Sequence, residues 1–396
     1  MPIARPGGLL DLLPEQGGLA WVTDGEGLVG WGTAARLDLT GPDPFGQADR
    51  WWRELTAGVH VVDEVGLPGC GPVAFGSFAF DAETGRSTLI VPETVVGVRD
   101  GVWWLTTIGP AAGVPERREP PRAPGPLTAG HGSRTAEEWT GLVAEAIRRI
   151  GAGQVEKVVL ARDVVVRAGG PVDPRWPLGR LAAGYPSCWT FAVDGLLGAT
   201  PEMLVRLEKG AASSRVLAGT LRRTGDPNRD RGSTLSGSVK DREEHGYGVR
   251  SVADALARHC RSVAVPDQPY VLALPNVMHL ATDVSAVVAD GSTSLGLLAS
   301  LHPSAAVCGS PTPAALQVIR DIEGLDRGRY AGPVGWMNAD GDGEWGIALR
   351  CAEIDPAAPE RLRLFAGCGI VAGSKPAEEL AESEAKLVPV RDALRS

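Results

Sequence analysis

Lysine is nearly absent from this sequence. Five lysines (157, 209, 240, 375 and 386) stand against 34 arginines, the remainder of 39 basic residues. Arginine does not release its proton in a protein, whereas a buried lysine can, so each lysine is a candidate for proton chemistry. Basic charge is short overall, because 39 Lys+Arg against 48 Asp+Glu leave a net charge of −9 and a sequence pI near 5.3. That balance argues against nucleic acid or an anionic membrane as a partner, and an anionic substrate would have to be drawn by local groups. No apolar run reaches the roughly 18 residues of a membrane span. The N-terminal MPIARPGGLLDLLPEQGG also lacks the long apolar core of a secretion signal, so a cytoplasmic protein is expected. The six cysteines (70, 188, 260, 308, 351, 368) contain no C-x-x-C pair, which fits reduced, small, buried residues better than disulfides or zinc.

What remains is an ordinary globular composition, 43% hydrophobic and 22% charged over 396 residues, enough for one large domain or two intertwined ones. Residues 1 to about 112 are rich in Gly and Trp, with strand-like runs at 72–80, 88–92 and 103–108 separated by turn signals such as Asp100-Gly101; they predict an antiparallel meander without a chemical cluster. Val114–Leu127 holds five prolines and reads as an extended connection, so the chain divides into a variable part, 1–127, and a second part, 128–396, in one compact unit. Thr135-x-x-Glu138 is a capping box, and Trp139, Leu142, Val143, Ala146, Ile147 and Ile150 recur at helical spacing after it. Further strands are predicted at 189–193, 268–274, 345–351 and 361–366, and helices at 242–259, 312–322 and 377–394.

Lys157 opens the aliphatic run VEKVVLARDVVV, which reads as a strand buried on both faces. Desolvating an ammonium group without a partner costs several kcal/mol, so this lysine either snorkels its amine to water or has a task. Carboxylates at element edges supply possible partners. Glu202 follows Thr200-Pro201 ahead of an apolar run; Glu244 lies in the first turns of a helix; Glu379, Glu382 and Lys386 share one face of the last helix, whose start is marked by Ser374-Lys375-Pro376. Glu244 and Glu382 could offer hard oxygen ligands from two helices, which suits Mg²⁺ gripping an anionic substrate. The glycine-rich stretches at 217–220 and 366–370 could bring bare backbone N–H groups to a carboxylate.

The ordered motifs EKVVLAR, GATPEMLVR, LAGTLRR, KDREEH, MHL, LHPSAAVCGSP, RGRYAGPVGW, GEWGIALRCAEI, LFAGCGIV and EELAESEAKL resemble those of the chorismate-utilising enzymes, over about residues 134 to 396. The resemblance implies an α/β (α+β) fold of the anthranilate synthase component I type, two intertwined halves of antiparallel sheet with outer helices. It implies Lys157 as a general base activating water for attack at C2 of chorismate, and Glu202 as the general acid that protonates the departing C4 hydroxyl. It implies Glu244 and Glu382 as Mg²⁺ ligands with Glu379 beside the metal. Gly219, Tyr330, Arg350, Gly367, Gly369 and Lys386 fall where the family contacts the substrate carboxylates and His279 where it lines the ring pocket, with Thr220 a further expected substrate-binding residue. Such chemistry requires a neutral base and a protonated acid near pH 7, and burial disfavours the charged form of both.

Two positions narrow the expected reaction. Family members that install an amino group resemble one another in having glutamine at the base position, so Lys157 points to water as nucleophile. Members that eliminate pyruvate usually have threonine where this chain has Ala306, so the resemblance implies an isochorismate synthase, an isomerase that stops at isochorismate. Salicylate synthesis, an aminodeoxyisochorismate synthase with a glutaminase partner, and a non-catalytic chorismate-binding homologue are the alternatives; no obligatory protein partner is expected. Cys308, Cys368 and Val307 depart from the residues common in the family by small changes of volume, expected to adjust packing without abolishing activity. Menaquinone, siderophore and salicylate pathways all use isochorismate, and no residue chooses among them.

Overall fold

The computed structural model describes residues 1–109, 113, 116–223 and 232–395; the opening Val114-Pro115 of the proline-rich segment lies outside them. Among the described residues, the strands form two antiparallel sheets of 11 and 10 strands. The first runs from an edge at Gly309–Ser310 through Lys157–Arg167, Ala358–Ile370, Cys351–Asp355, Leu196–Thr200, Trp189–Val193, Leu19–Thr23, Glu26–Trp31 and Thr94–Arg99 to Val102–Thr107. Thr128–His131 pairs with the C-terminal part of Lys157–Arg167. The second runs from Cys260–Ala264 through Val277–Val288, Ala211–Arg222, Met203–Glu208, Gly343–Ile347, Pro333–Asn338, Val73–Ser77 and Arg86–Val91 to Ala35–Thr40, with Tyr270–Ala273 added to Val277–Val288.

Within this part of the chain the described residues 1–109 therefore do not make one meander. Their strands are divided between the two sheets, each pairing with strands from the rest of the chain. The chain passes directly between sheets at Trp31 to Ala35, Val91 to Thr94, Thr200 to Met203 and Ile347 to Cys351, each through two or three residues. The last of these corrects the expected strand at 345–351. The apolar run GIALRC hides a break at Ala348–Arg350, where Arg350 takes a left-handed φ of 49°; a bulky residue seldom adopts that conformation without a reason in the surrounding structure.

The main core is shared between the sheets. Trp21 and Phe191 from the first, and Phe75 and Trp345 from the second, belong to one buried cluster, and the Trp21 indole N–H donates to Glu344 across it at 2.8 Å. Helices pack outside. Ala136–Gly151 begins at the expected capping box, with Thr135 and Glu138 each bonded to the other's backbone. Its buried Trp139 donates to the Ala161 carbonyl at 2.9 Å, which fixes the helix to the strand that starts at Lys157. Val239–Leu256 is capped by Ser238, which accepts from the Asp241 N–H, and Pro376–Leu394 has its proline at the first helical position. No helix among the described residues is long and apolar enough to cross a membrane.

Candidate active site

Two of the direct passages between sheets lie side by side, and each delivers an ionisable side chain to the same cavity. The Ile347 N–H donates to the Glu202 carbonyl at 3.1 Å, and the Ala199 N–H donates to the Arg350 carbonyl at 3.3 Å. Glu202 and Arg350 are both buried and both line the cavity.

The Glu202 carboxyl is pushed up to about 8 by its burial; a hydrogen bond from the Leu217 backbone and the charges of Lys157, Arg350 and Lys386 oppose this without overcoming it. A carboxyl in that state is protonated at neutral pH and can donate a proton. Arg350 is held by His279. Its Nη2 donates to His279 Nε2 at 3.0 Å, while His279 Nδ1 faces the Gly219 carbonyl at 3.3 Å and Thr220 Oγ1 at 3.2 Å. Burial and the neighbouring cations hold His279 well below the usual imidazole range, so Nε2 is free to accept and Nδ1 carries the proton given to Gly219.

Gly219 sits at a register shift between Ala211–Arg222 and Val277–Val288 with φ 72°, and a Cβ there would lie 2.9 Å from Asp241 Cβ. A glycine at this point lets the Val239–Leu256 helix approach and present Glu244 to the cavity. Gly369 permits a closer approach. A Cβ there would lie 2.1 Å from Glu244 Oε1 and 2.9 Å from Lys157 Cε. Gly367 faces the Tyr330 hydroxyl, and its carbonyl accepts from Lys386 Nζ at 2.8 Å. Lys386 also pairs with Glu382 one helical turn away, and that carboxylate holds its ammonium group above the ordinary range despite burial.

Lys157 is fully buried, so the snorkelling alternative does not hold. Its Nζ lies 3.4 Å from Glu244 Oε1 and has no hydrogen-bond partner within the described residues. It does not itself line the cavity; Glu244, which does, stands next to it. Thr220, His279, Ala306, Tyr330, Gly367, Gly369 and Lys386 join Glu202, Gly219, Glu244 and Arg350 in the wall.

The carboxylates considered for a metal divide. Glu379 and Glu382 come together with Cys368, all ligand atoms within 4.8 Å of one another, and Glu244 is not in that group. The donor chemistry suits a hard divalent cation, since two carboxylates offer oxygen ligands there. Cys368 does not act as a thiolate here. Burial raises its pKa well above the ordinary thiol value, and its Sγ donates to the Glu379 carbonyl at 3.2 Å. Arg327, which sequence reasoning leaves unassigned, also lines the cavity; its signal is the arginine that opens RGRYAGPVGW.

A sequence profile described as chorismate binding enzyme matches residues 114–395. The chain belongs to this family. Over 289 residues it is 40% identical to the salicylate biosynthesis isochorismate synthase of Pseudomonas aeruginosa, a match covering 71% of this chain and 59% of that relative. The chain thus spans about three fifths of that protein. Over 382 residues it is 30% identical to isochorismate synthase MenF of Bacillus subtilis, covering 87% of this chain and 80% of the relative. A crystal structure assigned to a 2,3-dihydroxybenzoate-specific isochorismate synthase, DhbC, of Bacillus anthracis superposes with a TM-score of 0.82 at 30% identity, covering 98% of each chain. The two-sheet architecture is thus that of the chorismate-binding enzymes.

Proposed function

We propose that this chain is an isochorismate synthase, which isomerises chorismate to isochorismate by adding water at C2 and expelling the C4 hydroxyl. The observation that carries the reading is the buried Glu202 carboxyl, raised to about 8, in one cavity with the cations Arg350 and Lys386. Chorismate is a dianion, and an overall acidic protein has to bind it with local positive charge. Two cations matched to two carboxylates meet that need. The relatives named above point to the same reaction.

The attacking water is placed on the side of the cavity walled by Glu244 and Gly369, where the Lys157 amine behind that wall takes its proton as the C2–oxygen bond forms. The ring double bonds shift, the C4–oxygen bond breaks, and Glu202 gives its proton to the departing hydroxyl. Atoms balance, because one water enters and one leaves, and the reaction is reversible. Arg350 and Lys386 orient the carboxylates, His279 keeps Arg350 aimed, and the glycine backbone at 219, 367 and 369 leaves room for the ring. Glu379 and Glu382 would hold Mg²⁺, with Glu244, which stands apart from them beside Lys157, as a further ligand expected from the family resemblance; the ion would neutralise the ring carboxylate.

Purified protein incubated with chorismate and Mg²⁺, with products resolved by chromatography, tests the reading. Isochorismate as the main product supports it. Salicylate as the main product, an aminated product, or no turnover without ammonia would overturn it. Omitting Mg²⁺ in the same assay is expected to abolish turnover.

A further inference from the structure

One buried ion pair that the mechanism does not use touches several parts of the cavity wall. Arg327 and Glu323 lie four residues apart, just beyond the Thr312–Ile322 helix, and are 4% and 1% exposed. Glu323 accepts two bonds of 2.6 Å from Arg327, and its Oε2 also accepts from the Ala161 N–H at 2.7 Å. Arg327 Nη1 donates to the Val307 carbonyl at 3.0 Å, and its Nη2 to the Val159 carbonyl at 2.8 Å. The guanidinium carbon stands 4.0 Å from the centroid of the Phe80 ring. The Arg327 carbonyl in turn accepts from the Tyr330 N–H at 2.9 Å.

The guanidinium fork thus joins the strand that starts at Lys157 to the loop holding Ala306 and Val307, and the main chain of Arg327 ties both to the turn holding Tyr330. Val159, Ala306, Val307, Arg327 and Tyr330 all line the cavity. A fork of this kind cannot be matched by the point charge of an ammonium group. Stability alone does not demand it, because buried ion pairs are often replaceable by apolar residues of similar volume without loss.

On the reading given above, the product keeps its enolpyruvyl arm. A competing outcome exists for the same bound molecule. The C3–oxygen bond breaks, the C2 hydrogen passes to the methylene carbon of the arm, and isochorismate becomes salicylate and pyruvate with every atom accounted for and no oxidant needed. That transfer requires the arm to fold over the ring, so the separation of the cavity walls decides whether it occurs. We propose that Arg327, locked by Glu323, is a positioning residue that fixes the Ala306–Val307 loop against the Lys157 strand and so keeps the enolpyruvyl arm away from the C2 hydrogen.

The test measures the ratio of salicylate to isochorismate formed from chorismate, together with the thermal midpoint, for wild type, Arg327→Lys and the double variant Arg327→Met/Glu323→Gln. Arg327→Lys keeps the charge and loses the fork; the double variant loses the fork without stranding a charge. The proposal expects the ratio to rise about tenfold in both, since wall displacements of about 1 Å alter rates by up to about 100-fold. It also expects the double variant to recover thermal stability relative to Arg327→Met alone while its product ratio stays altered. A wild-type ratio in folded Arg327→Lys and in the folded double variant overturns it, as does failure of both to fold, which would make the pair purely structural. If the wild type makes no isochorismate, the proposed function has failed, and that is read from the wild-type arm alone.

Discussion

Lys157 Nζ lies 3.4 Å from Glu244 Oε1, with both groups pressed against Gly369. The strand supplies the amine, the helix supplies the carboxylate, and the absence of one methyl group on the neighbouring strand allows them to meet. A lysine amine in a buried aliphatic strand with no polar neighbour would cost several kcal/mol. The contact supplies that neighbour, and Nζ makes no hydrogen bond among the described residues.

Replacing Lys157 with Met keeps the apolar stem and removes the amine. The expected outcome is a fall in kcat of about 10²–10⁴-fold, the usual contribution of a positioned base, with chorismate binding retained. Steady-state kinetics together with calorimetric binding check this. Unchanged kcat would remove Lys157 from the chemistry.

The pH dependence follows from Glu202. Its pKa in the folded protein, about 8, lies above the ordinary value of 4.5, so folding favours the protonated form. The associated stability is complete below about pH 4.5 and is lost as pH rises through about 8. Glu202→Gln mimics the protonated form, so its stability relative to wild type is expected to be greater at pH 9 than at pH 6. In the wild type, kcat/KM is expected to decline above about pH 8 as the acid ionises. Denaturant melts at several pH values and a pH–rate profile measure both; a decline centred near pH 4.5 would show a carboxyl in ordinary surroundings.

Gly369→Ala introduces a Cβ where Glu244 Oε1 and Lys157 Cε now stand. Glu244 must be displaced, since a contact of 2.1 Å cannot be accommodated. We expect at least about a 10²-fold loss of kcat/KM and weakened Mg²⁺ binding by titration calorimetry. Ala at this position with both quantities unchanged would show that the Glu244 position is not critical.

His279→Ala removes the acceptor that aims Arg350 without touching the guanidinium charge. Loss of one such bond, worth about 1.4 kcal/mol, corresponds to about a tenfold rise in KM. The fall in kcat should be smaller. A kcat effect that exceeds the KM effect would indicate that His279 acts on the reacting ring instead.

The candidate site residues come from the resemblance of ten ordered motifs, whereas several of the elements that carry them are marked by local signals. Thr135 and Glu138 announce their helix, Pro376 starts another, and a lone lysine at the head of an aliphatic strand is unusual on its pattern alone. The division of residues 1–109 between two sheets is not legible, because pairing partners such as Trp21 with Phe191 lie far apart in sequence. The break before Cys351 is hidden for a related reason. Residues Ala348–Arg350 are as apolar as a strand on average, and only the local left-handed turn at Arg350 shows that the chain changes sheets there. Arg327 is missed because an i, i+4 pair such as Glu323 and Arg327 reads as an ordinary surface ion pair, and its bonds to the Val159 and Val307 carbonyls leave no trace in the sequence.

The central claim is that water, activated at Lys157, attacks the ring as Glu202 releases the C4 hydroxyl. Isochorismate formed in oxygen-18-enriched water and analysed by mass spectrometry tests it most directly. The account predicts one oxygen-18 atom per product molecule, located at C2; unlabelled isochorismate, formed by internal transfer of the C4 hydroxyl, would contradict it.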